Sequence, residues 1–406
     1  MPRNVLILTY HFPPSAASGS FRLLGFAEHL PRFGWTPLIV APPRMPLEPV
    51  DQALALRVPA EAEVHHVVFP ENMPRVARWA LGKSVWLPLA LAEVKRIIGE
   101  KRPDVVLTSG PPHLIHVLGW AVKRLYRVPW IADFRDPWVF REIGSPSSLR
   151  RRIGLAPLEK LTFRVADRII ANANNAEKLY RSVHPRSARR LVTLTNGFDP
   201  RPKVRPEIPV GKVVRLLYAG EIYAGRDPLP LIDAILALNH EWSGTGPALE
   251  FRVIGRVDQY RAKHADALGS RSTADCVHFE GQLPHAEALA EMDRAHVNVL
   301  LDTPGRRVGV PAKLYEYLGA RRPVLALCEE DSDAAKILAD SGILHRVVRP
   351  GDYREIRQAL VELVAALKEG ADAALDSERW QAYTRAHIAA SLSRLLTEVA
   401  AHPEVR

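Results

Sequence analysis

Lys313 and Glu316 stand three residues apart at the start of a predicted helix in GVPAKLYEYLGARRPVLA, residues 309–326. A cation at a helix start opposes the helix dipole unless an anion sits there. A carboxylate on the same turn can accept hydrogen bonds from a ribose diol. Gly309 can bring backbone close to a phosphate, and Pro311 suits a first helical turn. The bland alternative is a solvated Lys–Glu pair. Arg226, in YAGEIYAGRDPLP (218–230), meets the same conflict just before a helix predicted to open at Asp227-Pro228. A diphosphate held between the two helix starts would relieve both.

Three further stretches carry candidate groups. WIADFRDPWVF (130–140) gathers Asp133, Arg135 and Asp136 at one strand exit, as a site or as a self-satisfied ion network. YHFPPSAASGSFRLLGF (10–26) opens a helix near Ser18-Gly19-Ser20, where free N–H groups can hold an anion or serve a plain turn. FEGQLPHAEAL (279–289) has Gly281 and a proline-started helix, a weak signal by itself.

These stretches all follow apolar runs. Strands are predicted at 5–10, 36–41, 104–109, 130–134, 168–173 and 191–195, and again at 214–220, 249–255, 277–281, 297–302, 323–328 and 343–348. Helices alternate with them, which implies parallel α/β sheets. A Pro- and charge-rich stretch, 199–212, reads as a linker, and 376–400 as one long amphipathic helix. In such sheets ligands bind at the carboxyl ends of the strands.

The chain has 406 residues, 47% hydrophobic and 25% charged, with net charge +10. The length fits two or three domains. No apolar run approaches the ~20 residues of a membrane helix, and the N-terminus does not read as a signal peptide, so a cytoplasmic location is expected. Two cysteines make no disulfide framework, and neither CxxC nor HExxH occurs. The basic balance favours an anionic partner, but no zinc-finger or RNP signature supports nucleic acid.

In these motifs the chain resembles the retaining GT-B glycosyltransferases of family 4, which use nucleotide-diphosphate sugars. The segments run along nearly the whole chain: ILTYHFPPSAASGSFR, SGPPH, WIADFRDPW, ADRIIANANNAEKL, LTNGFDP, YAGEIYAGRDP, VHFEGQLP and VPAKLYEYLGARRPVLA. The resemblance implies an α/β fold of two doubly wound Rossmann-like domains facing a central cleft. It places an acceptor-side domain at 1–204, a donor-binding domain at 205–375, and at 376–406 a helix crossing back to the first domain. It puts Gly19, Gly220, Arg226, Gln282, Gly309, Lys313, Leu314 and Glu316 on the donor, with Glu316 on the ribose. His11, Arg22, Arg135 and Asp136 are implied to position sugar or acceptor, with Asp136, Arg226 and Lys313 as the catalytic set.

The donor would be of the UDP or GDP type, with no cofactor and no metal. Two positions depart from the family: Glu221 replaces a diphosphate-gripping arginine, and Val308 replaces a glutamate that contacts the donor sugar. The implied acceptor is a glycan, a lipid-linked glycan or a small molecule, as in cell-surface polysaccharide or glycoconjugate synthesis. Basic stretches at 73–88 and 148–164 fit an anionic membrane surface on the inner face, or a solvated helix face. Two rival readings stand beside transfer: a nucleotide-sugar epimerase, and a non-catalytic sugar-nucleotide-binding protein.

Overall fold

The computed structural model describes residues 3–43, 50–69, 82–139, 149–201, 210–223, 225–271, 276–370 and 378–401, excepting the side chains of 82–83 and 149–153. Parallel strands covered by helices on both faces read as unbroken apolar runs. That is how the first-half strands form: β1 (Arg3–Thr9), β2 (Trp35–Ala41), β3 (Glu63–His66), β4 (Val105–Gly110), β5 (Trp130–Phe134), β6 (Arg168–Ala171) and β7 (Leu191–Thr193). Every residue of β4 and β5 is buried. The second-half strands are β8 (Val213–Ala219), β9 (Ala248–Ile254), β10 (Val277–Glu280), β11 (Val297–Leu301), β12 (Val324–Leu327) and β13 (His345–Val348).

The first sheet has the order β3-β2-β1-β4-β5-β6-β7 and the second β10-β9-β8-β11-β12-β13. All pairings are parallel, for example Val5 with Val105 and Leu216 with Val297. Both orders reverse direction once, between β1 and β4 and between β8 and β11. At such a switch point the two loops part and leave a crevice at the strand ends.

The chain divides into two compact units, Met1–Gly197 with Tyr383–Arg406, and Phe198–Ala382. These limits differ from the 204/205 and 375/376 boundaries that the resemblance implies. Residues 202–209 of the expected linker, 73–81 of the first basic stretch and 140–148 lie outside the described residues, as do the side chains of 149–153 in the second. The long helix expected over 376–400 is two elements, a 3-10 helix at Glu378–Tyr383 and an α-helix at Arg385–Ala401.

That last helix lays Ile388, Ala389, Leu392, Leu396 and Val399 into the core built by Val5, Ile7, Leu23, Phe26 and Ile39. Each Ile, Leu, Val or Phe side chain among these contributes about 1.5–3 kcal/mol when fully buried. The second unit has its own core, in which Leu231, Ile235 and Leu238 of one helix meet Ile356, Leu360 and Leu363 of another beneath β8 and β9. Among the described residues no helix is long and apolar enough to cross a membrane.

Candidate functional site

In the second unit the switch point is framed by the exits of β8 and β11. The β8 exit carries Arg226, which lies with its guanidinium carbon 4.4 Å from the centre of the Tyr223 ring and is only 8% exposed. The following helix is Leu229–Glu241, so it opens later than the Asp227-Pro228 start read from sequence. Asp227 stands just ahead of its Pro228 N-cap, accepting from the Leu229 N–H at 3.0 Å and from the Tyr260 hydroxyl at 2.6 Å.

The β11 exit begins with buried Asp302. Its Oδ1 lies 3.7 Å from Arg226 Nη2 and 3.2 Å from Arg306 Nη1. Burial raises the Asp302 carboxyl, against the pull of Arg306, the Thr303 N–H and Arg226. Arg226 Nε and Asp302 Oδ2 are buried without a hydrogen-bond partner among the described residues. Buried polar atoms are ordinarily satisfied, so this pair marks a place for a further polar group.

Helix Ala312–Ala320 follows after the loop 303–311. Lys313 Nζ donates to Glu316 Oε2 at 2.8 Å, and Glu316 Oε1 lies 3.0 Å from His285 Nε2. Burial alone would raise the Glu316 carboxyl. The His285 hydrogen bond and the Lys313 charge outweigh it and hold the group at about 2, so it stays ionised. Its side chain keeps 16% exposure. Behind it, Arg201 donates to the Glu316 carbonyl at 2.8 Å and pairs with Asp293. Leu314 is fully buried and packs the helix down. Buried Tyr317, whose hydroxyl accepts from the Ala219 N–H at 3.1 Å, lies within electrostatic reach of both Glu316 and Arg226.

The glycines are placed differently from the sequence reading. Gly309 has φ +86°, its N–H donates to Asp333 Oδ2 at 2.9 Å, and Arg306 Nη2 lies 3.0 Å from where a Cβ would stand. Its N–H is therefore engaged, and the close approach at Gly309 is that of a guanidinium. The Gly220 N–H donates to the Ile254 carbonyl at 2.8 Å. A Cβ on Gly255, which has φ +142°, would lie 2.1 Å from the Gly220 carbonyl oxygen, so two strand exits touch there backbone to backbone. Gln282 is exposed, with its Oε1 3.5 Å from Arg256 Nε.

In the first unit, Gly19 sits in the first turn of helix Ser18–His29. A Cβ on it would fall 1.6 Å from Arg135 Nη1. Arg135 reaches that place from the β5 exit while its Nε donates to the Gly110 carbonyl at 3.1 Å. Gly19 thus admits an arginine across its backbone. Gly19→Ala is expected to overpack this turn and cost about 1–3 kcal/mol. Thermal denaturation of Gly19→Ala, Arg135→Ala and the double variant checks it. The double loss should be smaller than the sum by more than about 0.5 kcal/mol, and simple additivity would exclude the overlap.

Arg22, which the resemblance implies to position sugar or acceptor, is held in a buried network. Its Nε and Nη2 grip both oxygens of buried Asp133 at 3.0 and 2.9 Å. Nη2 also donates to the Leu194 carbonyl, and Nη1 to the Thr195 carbonyl and Asn196 Oδ1. These bonds use all five of its N–H groups, leaving none for a sugar. Asp136 is exposed beside this network, while His11 is half-buried with its N–H on Thr9 Oγ1 at 3.1 Å.

Sequence reasoning named neither Asp302, Arg306 nor His285 as a site residue. The available signals were three cations without an acid in TPGRRVGVPAKLY (303–315), and a histidine directly after Pro284.

Sequence and structure comparisons agree with this architecture. The family described as "Glycosyl transferase 4-like domain" matches residues 20–197. No curated protein sequence matches the chain. Among similar solved structures, sucrose-phosphate synthase from Thermosynechococcus elongatus has TM-score 0.68 at 16% identity, covering 98% of this chain and 99% of its own. HepE of Anabaena in complex with UDP-glucose has TM-score 0.62 at 18% identity, covering 97% and 99%. A putative UDP-N-acetylglucosamine 2-epimerase from Listeria monocytogenes has TM-score 0.60 at 12% identity, covering 100% and 98%. At these identities the likeness concerns the fold, which serves more than one chemistry. The chain thus shares the two-unit α/β fold of these proteins, and its residues 20–197 match the glycosyl transferase 4-like domain.

Proposed function

We propose that the chain transfers a sugar from a nucleotide-diphosphate sugar to a glycan, lipid-linked or small-molecule acceptor, with retention of anomeric configuration. The observation carrying this reading is Glu316, ionised between His285 and Lys313 at the helix start beside the β8/β11 switch point. A fixed carboxylate there suits the two hydroxyls of a ribose. Arg226, buried with an Nε that has no hydrogen-bond partner among the described residues, suits the diphosphate.

In the reaction the bond from the anomeric carbon to the diphosphate oxygen breaks, and its electron pair leaves with the diphosphate. On the face that the diphosphate leaves, the acceptor oxygen bonds that carbon, and its proton passes to an oxygen of the departing diphosphate. Arg226 and Lys313 would stabilise the departing charge in place of a metal ion, the kind of preorganised electrostatics that dominates such catalysis. Asp136, exposed at the β5 exit, would position sugar or acceptor on the first unit. The donor class follows HepE, which was crystallised with UDP-glucose. Lipid-linked acceptors and an anionic inner membrane face fit the basic balance of the chain. Cell-surface polysaccharide or glycoconjugate synthesis is the corresponding role.

The deciding experiment is a panel of UDP- and GDP-sugars with mass detection. Nucleotide release with a product heavier by one glycosyl unit supports transfer, and an α-linkage from an α-donor supports retention. An isomerised donor without acceptor would establish the epimerase reading instead. Binding without turnover on every acceptor would establish a binding protein.

A further inference from the structure

We propose that Arg306 is the second guanidinium of the diphosphate site, acting on the phosphate that departs with the leaving group. The inference rests on the nucleotide-diphosphate reading above and adds a residue which that reading does not contain.

Two arginines from different strand exits converge on one carboxylate oxygen. Asp302 Oδ1 takes Arg306 Nη1 at 3.2 Å and Arg226 Nη2 at 3.7 Å, besides the Thr303 N–H at 2.8 Å. Like charges held this close repel, the more so away from water. One carboxylate compensates one of them, so the trio carries a net positive charge. Its aromatic neighbour Tyr218 offers no second negative charge, because burial pushes its hydroxyl up to about 12. Lys313 and Glu316 neutralise each other. The unsatisfied charge therefore lies on the two arginines, where Arg226 Nε is buried without a hydrogen-bond partner among the described residues.

The loop is shaped to keep Arg306 there. Gly305 at φ +78° and Gly309 at φ +86° fold it back on itself. Arg306 Nε donates to the Val308 carbonyl at 3.3 Å, and its Nη2 lies over Gly309. Glu221, the acidic residue of the β8 exit, is exposed. The β11 exit thus supplies a second cation beside Arg226 of the β8 exit, where Glu221 supplies none. The proposal assigns the outer phosphate to Arg306, the cation further from Glu316 along the chain. From Glu316 on the ribose, the cations run back off the helix through Lys313 to Arg306. A ligand laid along that path meets Lys313 with its first phosphate and Arg306 with its second. The adjacent Arg307 is directed elsewhere, with its Nε 2.9 Å from both oxygens of exposed Asp331, and serves as an internal control.

Calorimetric titration of the full chain with UDP, UMP, GDP and GMP tests the proposal. The wild type should bind one diphosphate more tightly than its monophosphate. Arg306→Gln should weaken that diphosphate by about 10- to 100-fold, the scale of a charge-assisted hydrogen bond, and change the monophosphate less than about threefold. Arg307→Gln should change neither. Equal losses for both nucleotides, or none, would overturn the proposal while leaving the donor reading intact. A wild type that binds neither diphosphate would overturn both. Should Arg306→Gln not fold, Arg306→Lys keeps the charge without the fork. Its diphosphate-to-monophosphate ratio should then fall between wild type and parity, and an unchanged ratio would count against the assignment.

Discussion

Arg22→Met is expected to destabilise the first unit by about 3–5 kcal/mol, the usual consequence of removing one partner of a buried ion pair. Asp133 is wholly buried, and Arg22 holds both of its oxygens. Without the guanidinium, the carboxylate keeps only the Ser109 hydroxyl at 2.7 Å as a side-chain partner among the described residues. Three acceptors on residues 194–196, the carbonyls of Leu194 and Thr195 and Asn196 Oδ1, also lose their donor. Denaturant unfolding followed by tryptophan fluorescence measures the loss, because Trp35, Trp86 and Trp130 are all in this unit and buried. Adding Asp133→Leu should recover much of it, since an apolar replacement of both charges is far cheaper than leaving one. A shift below about 1 kcal/mol for Arg22→Met would refute the structural role assigned to the pair.

The second large effect concerns activity. Arg226→Gln is expected to lower kcat/KM for the nucleotide-sugar by about 10²- to 10³-fold, the scale of removing one preorganised charge donor at a developing anion. The side chain is nearly buried, stacked on Tyr223 and aimed at Asp302, so little reorganisation is needed when charge develops on the leaving group. Asp302 keeps Arg306, which limits the stability loss and lets the kinetic effect be read separately. Arg226→Lys should retain part of the activity, since an ammonium keeps the charge without the planar fork. Steady-state kinetics on the donor identified by the panel decides the matter. A change within about threefold for Arg226→Gln would remove Arg226 from the site.

The strands were legible because their chemistry is local. WIADF reads as a buried strand from five residues and is β5 without adjustment. The strand missed, β3 with sequence Glu-Val-His-His, lies at the sheet edge, pairs only with β2 and has no fully buried residue. It therefore carries no apolar pattern to detect. The tail helix was read too long because Thr384, where the helix begins afresh, is not a strong breaker by type.

The site divides along the same line. Lys313 and Glu316 share one helical turn, so their pairing could be read from spacing. Asp302 joining Arg226 to Arg306 depends on β8 and β11 being neighbours, which is a property of the sheet and not of any window in the sequence. Gly19 and Gly309 were read as room for phosphate. The room is real, but sequence could not show that Arg135 and Arg306 fold back into it. An anion at either helix start would meet guanidinium groups before backbone amides.

The helix Arg385–Ala401 belongs to the core of the first unit, yet it is made after the whole of the second. On a ribosome, β1 and the helix Ser18–His29 emerge first and wait through the synthesis of residues 198–382 before Ile388, Leu392 and Leu396 can cover them. The second unit carries its own complete core and is a continuous segment. It can therefore settle while the first still exposes an apolar face. For a chain of this topology, birth order and folding order run opposite ways: the part synthesised earliest is the part finished last.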